Sequence, residues 1–260
     1  MKNSENIGKT VFTLSTDWAS RYKKEHNRGP EQANYLLDDP IKGLSFLLEN
    51  AFARAGGEQA GYGKIACDAL SLSIEACGDY QRLISFPNAK NQVWDNFERL
   101  CNKKGIGLNR NLNEQVVKGL VKLAQESLHL NPFEELSVKV PKNTIEAFSI
   151  LRNIHGIGDK VASFILRDIV SIMNLEKGIR PQDQILLQPI DRWVNGIATF
   201  IWDIPDRTPD WLIALRIISE CQKYDCLPTS FNQGAWKYGS SVIKDTIRIN
   251  LVMGNGLQLI

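Results

Sequence analysis

Residues 153–169 of this 260-residue chain read NIHGIGDKVASFILRDI, with a glycine pair between two apolar patterns. Apolar residues on either side of the glycines recur at helical spacing: Ile145, Phe148, Leu151 and Ile154 before them, and Val161, Ile165, Leu166 and Ile169 after them. The pattern predicts two helices joined by a short hairpin. Gly156 and Gly158 permit positive φ and leave the hairpin amides open to close approach. Such amides at the start of a helix bind anions, so the hairpin either binds a phosphate or only closes the turn.

Helical periodicity dominates the remainder of the chain. It predicts helices over 41–55, 62–76, 91–100, 113–128, 142–153, 159–174, 190–201, 209–223 and 231–246. Turns are expected at Pro141, Gly156, Pro205, Pro209 and Pro228. Alternating strand patterns are scarce, so an all-α fold of two helical lobes flanking a cleft is predicted. The expected lobes are 62–200, which contains the hairpin, and 1–61 together with 201–260.

The composition is that of an ordinary globular protein, with 43% hydrophobic and 23% charged residues. No apolar run reaches the length of a membrane helix, and the N-terminus lacks the apolar core of a secretory signal, so a soluble cytoplasmic protein is expected. The five cysteines are then expected to be free, and their spacing does not predict a zinc or iron–sulfur site. A net charge of +2 neither requires nor excludes nucleic acid as a partner.

A second glycine pair, in CNKKGIGLNRN, provides a comparison within the chain. Gly105 and Gly107 follow Lys103-Lys104 but have no paired apolar patterns on both sides. This segment is interpreted as a polar loop that is either solvated or in contact with phosphate through its basic residues.

The segment IHGIGDKVASFIL resembles the helix-hairpin-helix of the DNA glycosylase superfamily of base-excision repair. In that family a Gly-x-Gly hairpin is followed by one further residue and then by a catalytic lysine, and Lys160 occupies the position of that lysine. The family also has an aspartate at the start of a later helix, which corresponds to Asp191 in QPIDRWVNGIA. His155 stands where a proline is common in the family.

The interval between these two residues resembles one branch of the superfamily. Lys160 and Asp191 are 31 positions apart, which is similar to the archaeal GO glycosylases that remove 8-oxoguanine. The resemblance covers roughly residues 35–245 and is strongest over 145–200. It implies a monomer that acts on damaged double-stranded DNA without a cofactor or metal ion and without a membrane partner, in the cytoplasm, or at the nucleoid of a prokaryotic cell.

The resemblance also implies a mechanism. A base inside a duplex must be extruded before an enzyme can act on it. The Lys160 amine would attack the sugar C1′ and form a Schiff base, after which β-elimination nicks the strand. Asp191 would orient or deprotonate that amine, while Gly156, Gly158 and His155 contact the DNA backbone. A position on the first helical turn and partial burial are both expected to favour the neutral amine.

Base-pocket residues are expected in the segment SFNQGAWKYG. The resemblance implies that Asn232 and Trp236 lie at the base, with Gln233 beside them, although the related branch favours an acidic residue in place of Asn232. Asn50 is expected on the opposite wall of the cleft, with Arg54 and the turn AGGEQAG. Trp236 as a core residue and AGGEQAG as a solvated turn are the alternatives.

Three other functions remain open from the sequence. A non-catalytic DNA-binding protein would need the hairpin glycines but not a distant aspartate, and Lys160 and Asp191 would then be a structural salt bridge or unrelated surface residues. A glycosylase for a different damaged base has the same motifs. A helical protein–protein scaffold predicts no affinity for DNA.

Overall fold

The computed structural model describes residues 4–52, 61–245 and 248–254, and these residues form helices and connecting turns without any strand. The α-helices are α1 (Ser4–Thr13), α2 (Ala19–His26), α3 (Ala33–Leu37), α4 (Pro40–Ala51), α5 (Tyr62–Cys77), α6 (Tyr80–Ser85), α7 (Ala89–Lys103), α8 (Arg110–Glu126), α9 (Pro132–Lys142), α10 (Thr144–Arg152), α11 (Asp159–Ile172), α12 (Arg192–Trp202), α13 (Asp210–Lys223), α14 (Pro228–Tyr238) and α15 (Ile249–Gly254). The predicted all-α class is confirmed.

The chain divides into two compact units. The terminal unit comprises Met1–Pro30 and Val170–Ile260, and the central unit comprises Glu31–Ile169. These boundaries differ from the predicted lobes, because 31–61 lies with the central unit and 170–200 with the terminal unit. Packing explains the difference, since α4 packs against α5, α8 and α9, whereas α12 packs against α13 and α14.

Asp and Asn side chains cap the start of several helices. Asp39 Oδ1 accepts a hydrogen bond of 2.9 Å from the amide of Ile41, directly before α4. Asn131 and Pro132 begin α9 in the same way, since Asn131 Oδ1 accepts from the Phe133 amide at 3.1 Å. Helix α9 is absent from the prediction. The expected turn at Pro141 is wrong, because this proline lies inside the last turn of α9.

The core of the terminal unit centres on α12 and α14. Val194, Ile197 and Phe231 are buried there together with Leu14 of the N-terminal segment. That segment, which is α1, a π-helical turn at Leu14–Trp18 and α2, is absent from the predicted helices and packs against α14. Gly234 permits this contact, because a Cβ at this position would lie 1.8 Å from the Leu14 carbonyl oxygen.

The core of the central unit is built from α4, α5, α7, α8 and α9. Phe46 packs edge-on against Phe133, with ring centroids 5.1 Å apart, and Phe52 stacks on Phe97 at 5.8 Å. The apolar side of α8, including Val116 and Leu120, is fully buried as its periodicity predicts. This core supports the hairpin that α10 and α11 form.

Two observations concern the chain as a whole. Within the described ranges, the helices are too short or too polar to cross a membrane. All five cysteines are free, as expected. Burial raises the pKa of the Cys67 thiol to about 12 and that of the Cys101 thiol to about 11.

Candidate functional site

The predicted hairpin is present at residues 153–158, between α10 and α11. The Ile157 amide donates to the Ile154 carbonyl at 3.0 Å, and α11 begins with a bond of 3.0 Å from the Ala162 amide to the Gly158 carbonyl. Ile157 is 1% exposed, so its side chain anchors the hairpin in the central unit. The loop is therefore short and is fixed at Ile157, between its two glycines.

The apolar pattern of α11 is buried as predicted, whereas that of α10 differs at one residue. Val161, Ile165, Leu166 and Ile169 are all buried. On α10 the predicted contact of Ile145 is wrong, because this side chain is 53% exposed. The helix begins only at Thr144, which is buried and donates from Oγ1 to the Val140 carbonyl, so the next residue faces outward. Ala147 takes the buried place instead.

The two hairpin glycines have different environments. Gly156 has φ +95°, and a Cβ there would lie 2.7 Å from Val116 Cγ2 and 3.1 Å from the Leu112 carbonyl oxygen. It therefore fits against the first two turns of α8. A Cβ on Gly158 would meet no atom within 4 Å, so this glycine borders open space. His155 is exposed beside them, and its predicted backbone contact remains a prediction.

Lys160 is the second residue of α11, on the first helical turn as predicted. Its side chain is exposed. The expected partial burial of this amine is therefore wrong for the protein without DNA, because Lys160 precedes the buried face of α11 that begins with Val161.

Asp191 is the N-cap of α12, which confirms its predicted position at a helix start. Its Oδ1 accepts hydrogen bonds of 2.9 Å from the amides of both Trp193 and Val194. The side chain is half-buried, and the two bonds fix the direction of the carboxylate. Lys160 belongs to the central unit and Asp191 to the terminal unit.

The base-pocket candidates on α14 lie inside the terminal unit. Asn232 and Gln233 are both 0% exposed. Asn232 Nδ2 donates to the Pro189 carbonyl at 3.1 Å, and Gln233 Oε1 accepts from Ser171 Oγ at 3.4 Å. Asn232 thus bonds to the segment that joins α11 to Asp191, and Gln233 bonds to the last turn of α11. Their predicted role at a base remains a prediction.

Trp236 is only partly buried, and it packs at the edge of the terminal core. Its ring lies edge-on to Tyr22, with centroids 5.7 Å apart, and to His26 at 5.5 Å. The interpretation of Trp236 as a core residue accounts for these contacts.

Glu176 adds a bond between α14 and the segment before Asp191. Its carboxylate is 5% exposed and accepts hydrogen bonds from the amide of Thr229, at 3.0 Å, and from the Thr229 hydroxyl. Burial raises the pKa of Glu176, and the bonds from Thr229 partly oppose that shift. Sequence reasoning did not identify this residue, since a single glutamate in a polar segment carries no distinguishing pattern.

Asn50 lies in the central unit and is buried in α4. Its Nδ2 donates to the Phe46 carbonyl at 2.7 Å, one helical turn earlier. Arg54 and residues 55–60 of the predicted AGGEQAG turn lie outside the described residues. Of the residues predicted to form this wall of the base pocket, Asn50 and Gly61 are the ones that the structure describes.

The second glycine pair forms an exposed loop between α7 and α8. Lys104 pairs with Asp68 at 3.7 Å, Arg110 pairs with Glu98, and the Gly107 carbonyl accepts a bond from Tyr62. The interpretation as a polar loop holds. This loop leads directly into α8, against whose first turns the other hairpin packs.

Arg152, at the end of α10, is a residue that the sequence prediction missed. Its Nη1 donates to the Ile157 carbonyl at 2.8 Å, and its Nε forms an ion pair with Asp159. The opposite charges seven residues apart, on either side of the hairpin, are the signal that could have identified it.

Comparisons with protein-family models, with curated proteins and with solved structures find no match to this chain. Among the residues that the structure describes, no group of three or more His, Cys, Asp and Glu side chains is arranged to hold a metal ion.

Proposed function

We propose that this protein is a DNA glycosylase with AP-lyase activity that removes an oxidised purine, foremost 8-oxoguanine, from duplex DNA. The hairpin is the observation that carries the proposal. It combines the open approach to Gly158 with an exposed amine two residues later, on the first turn of α11. Hairpin amides suit a DNA phosphate, and the adjacent amine suits attack on a sugar.

The proposed reaction uses Lys160 as the nucleophile. The neutral amine forms a bond to C1′ while the bond from C1′ to the base breaks, and the base leaves with the electron pair and takes up a proton. A proton then passes from the nitrogen to O4′ and the C1′–O4′ bond breaks, which opens the sugar ring and leaves an iminium between Nζ and C1′. Loss of a proton from C2′ expels the 3′ phosphate with the electron pair of the C3′–O bond, which nicks the strand.

Lys160 must lose its proton before it attacks. Its position on the first turn of α11 exposes the amine to the positive end of the helix dipole, which disfavours the ammonium form. Since the side chain is exposed without DNA, we assign its desolvation to the bound nucleotide, which covers the amine once the base has been extruded.

Asp191 would act as the partner of the amine. Its capping bonds to Trp193 and Val194 hold the carboxylate in one orientation. A fixed carboxylate can orient or deprotonate an amine and can stabilise positive charge on the sugar.

Base release from a panel of defined duplexes tests the proposal. We expect the protein to release 8-oxoguanine, and we expect Lys160→Ala to abolish release while duplex affinity is retained. Lys244→Ala is the matched control, since Lys244 is also exposed and directly follows the π-helical turn Gly239–Ile243 in the terminal unit. Release of a different damaged base would change the substrate but keep the mechanism, and release that is unaffected by Lys160→Ala would refute it.

A non-catalytic DNA-binding protein is the second candidate. Two observations favour it: Lys160 has the exposure of an ordinary surface lysine, and capping alone accounts for Asp191. This candidate predicts salt-dependent duplex binding with every lesion left intact.

A further inference from the structure

Arg152 connects the two ends of the hairpin through one guanidinium group. It reaches the carbonyl of Ile157, between the two glycines of the loop, and the carboxylate of Asp159, the first residue of α11. The planar guanidinium presents several donors in a fixed geometry, so it can hold both groups at once. A lysine at this position has a single ammonium and matches that geometry poorly.

Stability alone does not explain this contact. The side chain of Arg152 is 41% exposed and that of Asp159 is 77% exposed. Exposed ion pairs contribute little to folding free energy, because water screens the charges and two long side chains lose freedom. Asp159 lies between Gly158 and the proposed nucleophile Lys160, so the ion pair with Arg152 is placed to act on the hairpin itself.

Asp159 presents an electrostatic problem for the proposed site. Its carboxylate lies on the residue between Gly158 and Lys160. A carboxylate there repels a phosphate that approaches the hairpin amides, and it favours the charged form of a neighbouring amine. The guanidinium of Arg152 offsets this negative charge.

We propose that Arg152 is a positioning residue, which fixes the hairpin between Ile157 and Asp159 and neutralises Asp159 so that a DNA phosphate can approach. This inference rests on the proposed function for its DNA partner, but the contact that carries it is independent of catalysis. Arg152 itself does not contact the reacting atoms in this proposal.

Affinity for an 8-oxoguanine duplex at fixed salt concentration tests the electrostatic part. We expect Arg152→Ala to weaken binding about two- to fivefold, the range that exposed charge pairs support. Asp159→Asn in the same chain should restore most of that loss, because the carboxylate that needs neutralising is gone. Arg152→Lys should rescue part of the affinity, as it keeps the charge but not the paired contacts.

Arg82→Ala is the matched control. Arg82 forms an exposed pair with Asp79, at 3.2 Å, at the start of another helix, so this variant also removes one positive charge from an ion pair. It should bind duplex more tightly than Arg152→Ala. Equal losses in the two variants, or no recovery when Asp159→Asn is added to Arg152→Ala, would overturn the electrostatic role.

Amide hydrogen exchange without DNA tests the positioning part separately. The amides of Ile157 and Ala162 should exchange faster in Arg152→Ala than in the wild type or in Arg82→Ala, because both amides donate to carbonyl groups of the hairpin. Unchanged exchange would overturn the positioning role. A wild-type protein that fails to bind duplex DNA would refute the proposed function, and the exchange measurement would still decide whether Arg152 holds the hairpin.

Discussion

Gly156 and Gly158 are two positions apart, yet they meet different physical requirements. Gly156 needs both a positive φ and the absence of a side chain, since Val116 and Leu112 lie directly against it. Gly158 needs neither for folding, because its Cβ position is open. Its lack of a side chain matters only when another group approaches the hairpin.

Alanine at each glycine separates folding from binding. Gly156→Ala should lower the free energy of unfolding by about 1–3 kcal/mol, because it adds steric overlap and a disfavoured backbone conformation. Gly158→Ala should leave thermal stability almost unchanged but weaken duplex binding, because its methyl group occupies the open space. Thermal unfolding of both variants measures the change in stability, and titration with duplex DNA measures the change in binding. An equally destabilised Gly158→Ala would contradict this account of the hairpin.

At the scale of one element, α14 is bonded at three places to the stretch of chain that runs from the last turn of α11 to Pro189. Gln233 accepts from Ser171, Thr229 donates to Glu176, and Asn232 donates to Pro189 two residues before Asp191. The third bond uses a donor that an aspartate lacks. The asparagine therefore suits this chain, in which its amide holds the approach to the N-cap of α12.

Asn232→Asp should consequently be costly. It replaces the bonded amide with a carboxylate at a fully buried position, and we expect a loss of about 3 kcal/mol or more in unfolding free energy. Asn111→Asp provides the same chemical change at an exposed position in α8, where the effect should stay within about 0.5 kcal/mol. Chemical denaturation of both variants tests this expectation, and near-equal stabilities would show that the Pro189 contact is unimportant.

Glu176 should give the terminal unit a measurable pH dependence. Its folded-state pKa is raised above the ordinary value of 4.5, so the folded state binds the proton more tightly than the unfolded chain. This contribution to stability is complete below pH 4.5 and is lost as the pH rises through the folded-state pKa. Glu176→Gln should remove that loss, so its stability relative to the wild type should increase as the pH rises. If the difference in unfolding free energy between Glu176→Gln and the wild type stayed constant with pH, it would contradict a buried Glu176 carboxyl group with a raised pKa.

For the whole molecule, helical periodicity predicted much of the fold. The ranges of α5, α8, α11 and α13 match the predicted segments within a few residues, because each presents a clear apolar side. The N-terminal α1 and α2 were missed because the π-helical turn between them, which carries the buried Leu14 and Trp18, interrupts the 3.6-residue period.

The site was predictable only in part. The hairpin and the place of Lys160 on a first turn follow from local patterns, whereas the position of Asp191 at a helix start was implied by the resemblance to the helix-hairpin-helix glycosylases. The buried bonds of Asn232 and the contacts of Arg152 depend on side-chain geometry, and Asn232 joins residues 43 positions apart. The unit boundaries likewise depend on which helices pack together, and periodicity does not encode that information.

Borohydride trapping tests the central claim most directly. When the protein is incubated with an 8-oxoguanine duplex and sodium borohydride, reduction of the iminium should leave a stable covalent complex, and peptide mapping should place the modified residue at Lys160. Lys160→Ala should give no complex, and Asp191→Asn, which retains an oxygen to cap α12, should form it more slowly. Absence of any trapped complex with the wild type, or trapping that survives Lys160→Ala unchanged, would contradict the account.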